Sequence, residues 1–182
     1  MLSPDITPLT PDVDVSTFSC ADQDLDEFLK RDALSLQQEN LTQVYVAYHE
    51  SEVIGYVALL CDNIMLRTEE KEDGGFGETA PRTIPALKVG RLAVSLVHRE
   101  KIKGVGTALM RFSFRQAVRI SMISGCRLLS VDAYPDSVGF YKKLGFIENT
   151  HNWYQGSRRT TISMRFDIFQ KNRPEWTNEP LL

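Results

Sequence analysis

The stretch around Gly104 constrains the fold more than any other part of this chain. An apolar run from Leu87 to Val97 predicts a strand, and the amphipathic segment after the glycines predicts a helix. Gly104 and Gly106 lie two residues apart, so backbone N–H groups can converge where no Cβ intervenes. The helix directs the positive end of its dipole to this point, and Lys101 and Lys103 add full charges. The turn therefore predicts a phosphate-binding loop, with an ordinary strand-to-helix turn as the alternative.

This loop matches neither of two common nucleotide-binding turns. A P-loop needs four residues between its glycines and a Lys-Ser or Lys-Thr pair after them. A dinucleotide-binding turn needs a third glycine at the position where this chain has Leu109. Both of these classes of nucleotide site are therefore excluded.

Length and charge indicate one globular domain without a general attraction to nucleic acid. The 182 residues suit a single domain, 1–182, with a core over about 15–168 and a tail over 169–182. The net charge is −3 and the sequence pI is about 5.7, so no basic excess acts at the level of the whole chain. A local basic face remains compatible with these values.

Cysteine usage and hydropathy favour a cytoplasmic protein. The three cysteines are scattered, contain no C-x-x-C pair and make no metal-ligand pattern with the three histidines. The first residues carry no basic patch and no long apolar stretch, so no signal peptide is predicted. No apolar run approaches the roughly 18 residues that span a membrane. We therefore expect no metal and no membrane partner.

The first half of the chain predicts a helix, a hairpin and a loop. Residues 1–18 are rich in proline and predict irregular structure. A helix begins at 22–24 and turns the apolar residues Leu25, Phe28, Leu29, Ala33 and Leu36 to one face. Residues 44–48 and 53–61 form a hairpin, with Gly55 as a possible bulge. The charged, glycine-rich segment 63–83 is either a solvated loop or a mobile loop beside a substrate.

The second half alternates strands and helices. The helix after the glycine turn ends near Gly125, and its predicted buried residues are Val105, Ala108, Leu109, Phe112, Ile120 and Ile123. A strand over 127–133 follows, then a short helix over 136–144 that Gly145 closes. The last strands are 146–147 and 161–168, joined through 155–158. The tail from Lys171 is predicted to be loosely held.

Two blocks of this sequence resemble the GNAT superfamily of N-acetyltransferases. Leu92-Ala93-Val94 followed by Lys101-Ile102-Lys103-Gly104-Val105-Gly106 is similar to the family's acetyl-CoA loop, Q/R-x-x-G-x-G/A. Phe140-Tyr141-Lys142-Lys143-Leu144-Gly145-Phe146 is similar to its F-Y-x-x-x-G-F helix ending. The resemblance covers about 15–168. It implies a single-domain α/β fold (a mixed α+β sheet), in which a central, mostly antiparallel sheet is splayed between the fourth and fifth strands and flanked by helices.

The front of the chain resembles one subgroup of this superfamily. The segment Phe18–Ala33 is similar to the start of a subgroup that includes toxins acetylating aminoacyl-tRNA as well as stand-alone members. The chain departs from the family pattern at two positions. Lys101 replaces the usual Gln or Arg of the phosphate loop and remains a point charge for phosphate. Lys88 stands where some members carry a glutamate base, which argues against a carboxylate base on that strand.

The resemblance implies an acetyl-CoA-dependent N-acetyltransferase that acts on a primary amine by direct attack. The strand residues Leu92–Val94 would pair with the pantetheine arm, and the N–H of Ala93 or Val94 would stabilise the oxyanion. Ser137 and Phe140 would lie near the thioester. The pyrophosphate would be bound by Lys101, Ile102, Lys103, Gly104, Val105, Gly106 and Thr107, although Thr107 could equally serve only as a helix cap.

The resemblance assigns Tyr141 as the general acid that protonates the departing thiolate. A thiol with pKa near 8.5 and a phenol with pKa near 10 differ by about 1.5 units, so full transfer costs about 2 kcal/mol. A modestly acidified tyrosine would remove this cost. The alternative for Tyr141 is simple packing. No base for the amine is evident, so water is the default, with Asp132 and Glu50 as alternatives.

The sequence leaves the acceptor open. Trp153 and Tyr154, beside Arg158 and Arg159, could form an acceptor wall or could decorate an exposed hairpin. The acidic pI ranks a small or unidentified amine first and an aminoacyl-tRNA-acetylating toxin second. A non-catalytic acyl-CoA-binding protein is a further alternative, which an intact Tyr141 disfavours. The resemblance also allows a homodimer.

Overall fold

The computed structural model describes residues 4–155 and 160–177, which build a seven-stranded sheet with the order β1-β2-β3-β4-β5-β7-β6. The strands are β1 (Asp5–Pro8), β2 (Gln43–His49), β3 (Glu52–Met65), β4 (Thr83–Val94), β5 (Leu128–Ala133), β6 (Ile147–Glu148) and β7 (Ile162–Asp167). The α-helices are α1 (Gln23–Glu27), α2 (Ala33–Gln38), α3 (Thr68–Asp73), α4 (Leu96–Arg99), α5 (Val105–Ser121) and α6 (Val138–Lys143). A π-helical segment, Phe28–Asp32, joins α1 to α2.

The sheet is mixed. The pairs β1–β2, β2–β3, β5–β7 and β6–β7 are antiparallel. Along β4 and β5, the Arg127 N–H donates to the Pro85 carbonyl, and further on Lys88 meets Asp132. Because the residue numbers of these paired positions increase in the same direction along both strands, β4 and β5 run parallel. The predicted mixed α/β architecture is confirmed, whereas the splay between these strands and the single-domain boundaries stay predictions.

The chain forms two compact units. Unit 1 comprises Met1–Leu60 and Val89–Ser113, and unit 2 comprises Cys61–Lys88 and Phe114–Leu182. The elements β3, β4 and α5 each contribute residues to both units. The two units are described separately below.

Tyr56 lies at the centre of the core of unit 1. Its side chain is fully buried, with its ring centroid 5.7 Å from Phe18 and 5.9 Å from Phe28. Its hydroxyl donates to the Leu25 carbonyl at 2.9 Å, so the buried polar atom is satisfied. Asp22 caps α1 by accepting from the Leu25 N–H. The predicted helix over this segment is therefore confirmed, but it contains the π-helical segment in its middle.

Gly55 allows β3, β4 and α5 to approach closely within unit 1. A Cβ at this position would lie 2.9 Å from the Ala93 carbonyl oxygen and 3.2 Å from both Val105 Cγ1 and Leu109 Cδ1. The register shift in the hairpin skips Ile54, so the bulge lies one residue from the predicted glycine. The glycine is thus required for packing against helix and strand.

An aromatic cluster forms the core of unit 2. Phe166 contacts Phe114, Phe146 and Trp176 at centroid distances of 6.2, 5.4 and 5.2 Å. The Trp176 Nε1–H donates to the Leu144 carbonyl at 2.9 Å, and the Trp176 side chain is buried. The prediction of a loosely held tail was therefore wrong up to residue 177, because an indole anchors it.

A buried ion pair fixes the segment that the sequence predicts as a loop. Within unit 2, Arg165 Nη1 lies 2.7 Å from Glu70 Oε1 and 2.8 Å from Asn149 Oδ1. Glu70 also accepts from the N–H groups of Arg67 and Thr150. Burial alone would raise the pKa of Glu70, but these hydrogen bonds and the guanidinium hold that pKa below its ordinary value. The loop prediction was therefore wrong for the end of β3, for α3 and for the start of β4, whereas residues 66–67 and 74–82 contain no helix or strand.

Three further predictions need correction. β1 forms where irregular structure is predicted, because residues 5–8 add an edge strand to β2. The strand predicted to reach Val97 ends at Val94, where the chain turns into α4. The buried face of α5 holds Val105 and Leu109 as predicted, but Ile123 is 89% exposed because the helix ends at Ser121. The remaining buried residues of α5 are Met110, Ser113, Phe114, Ala117 and Val118.

Replacing Gly55 with alanine tests the close packing in unit 1. The new methyl group would overlap the Ala93 carbonyl, so we expect Gly55→Ala to lower the free energy of unfolding by about 1–3 kcal/mol. Gly139→Ala in α6 is the matched control, because a Cβ there meets nothing within 4 Å and alanine favours a helix. Urea denaturation measures both, and equal stabilities would contradict the packing argument.

Replacing Glu70 with glutamine tests the buried ion pair. Because the pKa of Glu70 is lowered by folding, its ionised form contributes stability above the pKa of the unfolded chain and loses it as pH falls through the folded pKa. We expect Glu70→Gln to lower the unfolding free energy by about 3 kcal/mol at pH 7.

Denaturation measured from pH 7 down to acid values checks this pH dependence. The difference between the wild type and Glu70→Gln should shrink on acidification. Glu69→Gln, at an exposed neighbour, is the control and should change stability little at every pH. A difference that stays constant down to pH 3 would rule out the ionised pair as its cause.

Candidate active site

The predicted phosphate loop lies between α4 and α5 in unit 1. Gly104 has a φ of +88°, and a Cβ built on it would meet nothing within 4 Å. Its carbonyl accepts from the Ala108 N–H at 2.9 Å, which is the first hydrogen bond of α5. The N–H groups of Val105, Gly106 and Thr107 therefore precede the intrahelical ladder and have no carbonyl of the helix to bind. This 17-residue helix thus directs donors and a positive dipole end into the loop.

The cationic side chains of the loop are exposed to solvent. Lys101 and Lys103 are both exposed, and Ile102 between them is half-buried. The Ile102 N–H donates to the His98 carbonyl at 2.7 Å, which ties the loop to α4. Exposed ammonium groups beside a helix N-terminus fit a phosphate that is held mainly by backbone donors.

Contacts within unit 1 fix α4. The Ser95 N–H donates to the Ile54 carbonyl, and the Leu96 N–H donates to the Ser19 carbonyl, both at 2.8 Å. His98 lies between Ser95 Oγ, 3.1 Å from its Nδ1, and Glu52 Oε2, 2.9 Å from its Nε2. The start of the loop is therefore fixed by β3 and by the segment before α1.

The segment predicted to pair with the pantetheine arm, 92–94, is the C-terminal end of β4. Ala93 is buried in the core of unit 1, while Leu92 and Val94 are half-buried. Alternation along the strand places Leu92 and Val94 on the face opposite Ala93. The backbone of this segment continues directly into Ser95, whose N–H is bonded to the Ile54 carbonyl. The segment is therefore held in a fixed position, to which an extended ligand could pair.

Tyr141 is buried within unit 2, and this burial makes its phenol less acidic. It is 6% exposed in α6, with ring centroids 5.0 Å from Phe140 and 5.6 Å from Phe146. Burial raises the pKa of Tyr141 to about 12. Relative to a thiol near 8.5, full proton transfer then costs about 5 kcal/mol, compared with about 2 kcal/mol for a phenol with an ordinary pKa. The phenol keeps its proton at any physiological pH.

The hydroxyl of Tyr141 has no hydrogen-bond partner within 4–155 and 160–177. Ser137, four residues earlier, ends a 3₁₀ turn, Pro135–Ser137, and its N–H donates to the Tyr134 carbonyl. Ser137 and Phe140, which precede Tyr141 in the chain, are both half-buried.

Neither carboxylate proposed as an alternative base is well suited to that role. Asp132 Oδ2 lies 2.7 Å from Lys88 Nζ within unit 2, so this carboxylate is already engaged by an ammonium group. Glu50 lies in the exposed turn between β2 and β3, 3.9 Å from His49. Lys88, at the position of the family's glutamate, is thus the partner of Asp132.

The aromatic pair near the last hairpin divides into one structural and one exposed residue. The Tyr154 hydroxyl accepts from the Met65 N–H at 2.9 Å and so closes the end of β3 in unit 2. Trp153 is 67% exposed and remains compatible with either predicted role. Arg158 and Arg159 lie outside the described residues.

Sequence reasoning missed Arg91 on β4. Its Nη2 lies 3.3 Å from Asp24 Oδ2, and its guanidinium carbon lies 4.3 Å from the centroid of the Phe28 ring, all in unit 1. A second charged residue after Lys88 in a mainly apolar run, directly before Leu92, was the available signal. Among the described residues, no group of three His, Cys, Asp or Glu could hold a metal, and no helix could cross a membrane.

Comparison with known proteins identifies the family. The model of the acetyltransferase (GNAT) domain matches residues 40–148, which is more than half of the chain. The chain therefore belongs to the GNAT acetyltransferase family, and the predicted family and enzyme class are confirmed. The matched region includes both the glycine loop at 101–106 and the helix ending at 140–146.

The relatives include acetylating toxins. A tRNA-acetylating toxin of Mycobacterium tuberculosis is 26% identical over 134 residues, which cover 73% of this chain and 78% of the toxin. AtaT complexed with acetyl-methionyl-tRNAfMet superposes with a TM-score of 0.73 at 23% identity, covering 90% of this chain and 94% of that chain. AtaTR bound with acetyl-CoA gives 0.72 at 22% identity, covering 91% and 94%. These two structural likenesses support the fold.

Proposed function

We propose that this enzyme transfers an acetyl group from acetyl-CoA to the α-amine of an aminoacyl-tRNA. The donor half of the proposal depends chiefly on the loop at Gly104, and the acceptor half on the tRNA-acetylating relative. The sequence alone ranks a small amine first, so the relative changes the preferred acceptor.

The loop residues fit the pyrophosphate of acetyl-CoA. Gly104 leaves open space where any other residue would place a Cβ, and the N–H groups at the start of α5 point beyond the helix. Lys101 and Lys103 add two positive charges in solvent. The binding set proposed for acetyl-CoA is Leu92, Ala93, Val94, Lys101, Ile102, Lys103, Gly104, Val105, Gly106, Thr107, Ser137 and Phe140.

Tyr141 is proposed to donate the proton that the leaving sulfur requires. Acetyl-CoA supplies the acyl group as a thioester, whose cleavage releases a thiolate. A phenol with pKa about 12 is always protonated before the reaction, which is the state that a general acid needs. Complete transfer of the proton from the phenol to the thiolate would cost about 5 kcal/mol. The cost is smaller when the phenol only donates a hydrogen bond to the developing thiolate.

The amine is proposed to lose its proton to water. The α-amine of an amino-acid ester is less basic than an alkylamine, so a large fraction is neutral near pH 7. Asp132 is bound to Lys88 and Glu50 is solvated, so neither competes with water as the acceptor of the proton. Positioning of the amine then supplies most of the rate enhancement.

The charge of the chain limits how tRNA would bind. At a net charge of −3 the whole protein does not attract phosphates, so contacts must come from local cations. Lys30 and Arg31 are exposed on the π-helical segment after α1 and provide one such place in unit 1. Affinity for tRNA should therefore be moderate and should fall as salt rises.

Radiolabelled acetyl-CoA tests the activity and the acceptor together. Wild type should label a mixture of aminoacyl-tRNAs but not deacylated tRNA. Tyr141→Phe should lower turnover by about 10²–10⁴-fold, because only the proton donor is lost. Tyr134→Phe, which removes an exposed hydroxyl from the same region of the chain, is the control and should keep full activity.

The outcomes separate the alternative functions. Labelling of small amines but not of aminoacyl-tRNA would refute the acceptor and keep the acetyltransferase. Binding of acetyl-CoA without any transfer, equal in wild type and Tyr141→Phe, would instead support a non-catalytic acyl-CoA-binding protein. The homodimer stays a prediction, and sedimentation in the same buffer would test it.

A further inference from the structure

Arg91 is a cation that the donor site does not use. It lies on β4 directly before Leu92, and its side chain is 34% exposed. Its guanidinium stacks over the Phe28 ring at 4.3 Å, which fixes its plane. Its ion-pair contact, from Nη2 to Asp24 Oδ2, is 3.3 Å long, and the Asp24 side chain is 63% exposed. Such an exposed, long pair contributes little stability, so it does not account for the placement of the arginine.

Arg91 also carries an unsatisfied buried donor. Its Nε is buried, and none of the residues in 4–155 and 160–177 accepts a hydrogen bond from it. A buried donor without an acceptor costs free energy, and native proteins rarely leave one unpaired. Because Nε is buried, a group from outside the chain cannot reach it; an external acceptor would meet the exposed Nη edge of the guanidinium, where Nη1 makes no hydrogen bond to the described residues.

The face of β4 that bears Arg91 is opposite to α5 within unit 1. On β3, Gly55 faces Val105 and Leu109 of α5, and the next residue, Tyr56, faces Phe28. Arg91 also contacts Phe28, so it shares the face of Tyr56. The phosphate loop precedes α5, so a group bound by Arg91 would lie on the side of β4 away from that loop. Ala93 on the same face is buried, so the exposed end of the Arg91 side chain is the part open to such a group.

We propose that Arg91 binds an oxyanion of the acceptor, a carboxylate or a phosphate, on the face of β4 opposite α5. The proposal deepens the proposed function and rests on it, because it concerns the acceptor of the same transfer. The planar fork of arginine suits either group. A carboxylate would belong to a free amino acid or its acetylated product, and a phosphate to the CCA end of tRNA.

Asp24 would compete with this oxyanion. Its carboxylate already occupies one N–H of the guanidinium. Removing the charge of Asp24 should therefore strengthen binding of an external anion, while the Phe28 ring continues to hold the guanidinium. A purely structural arginine would not produce this gain.

Calorimetric titration measures anion binding directly, without any need for turnover. The probes are N-acetylmethionine, which carries a carboxylate, and a deacylated RNA minihelix that ends in CCA. We expect one probe to bind the wild type, and Arg91→Gln to raise its Kd about 10–100-fold through loss of charge-assisted hydrogen bonds. Asp24→Asn should lower the same Kd several-fold. The probe that responds identifies the source of the oxyanion.

The affinity for acetyl-CoA controls for folding and separates this inference from the proposed function. Arg91→Gln should bind acetyl-CoA as the wild type does, because Arg91 is not in the proposed donor site. A Kd for both probes that is unchanged in Arg91→Gln, or no binding of either probe to wild type, would overturn the assignment. Either result would do so whether or not acetyl transfer is detected, since the assay does not depend on catalysis.

Discussion

The close approach of β3, β4 and α5 at Gly55 is the constraint on which the site in unit 1 depends. Because this residue has no side chain, the Ala93 carbonyl and the first two apolar residues of α5, Val105 and Leu109, meet over it. That packing fixes the start of α5. The phosphate loop ends where the helix starts, so its donors are positioned by a contact that contains no polar side chain at all.

The electrostatics of the site come mainly from backbone groups and from burial. The positive end of a long helix and the N–H groups of Val105–Thr107 supply fixed dipoles that no pH change removes. In unit 2, burial raises the pKa of Tyr141, which keeps its proton in place. Lys88 occupies the position of a family glutamate and neutralises Asp132.

Much of this architecture was predictable from local sequence patterns. The Gly104 turn and the Phe140–Phe146 block fixed the family, because their chemistry depends on short-range spacing. What failed depended on distant residues. Trp176 holds the tail through Leu144, and Glu70 holds a charged segment through Arg165. Neither partner lies near in sequence, so composition alone predicted loose structure. The high pKa of Tyr141 was missed for the same reason, since burial is a tertiary property.

Backbone amide resonances give the most direct test of the central claim, that the loop before α5 binds the donor substrate through its N–H groups. In ¹⁵N-labelled protein titrated with acetyl-CoA, the amides of Gly104, Val105, Gly106 and Thr107 should shift together, in the direction expected for hydrogen bonds to phosphate. The amide of Gly125, which follows the C-terminal end of α5 and belongs to no proposed contact, should stay where it is. Binding of acetyl-CoA that leaves the four loop amides unchanged would contradict the account.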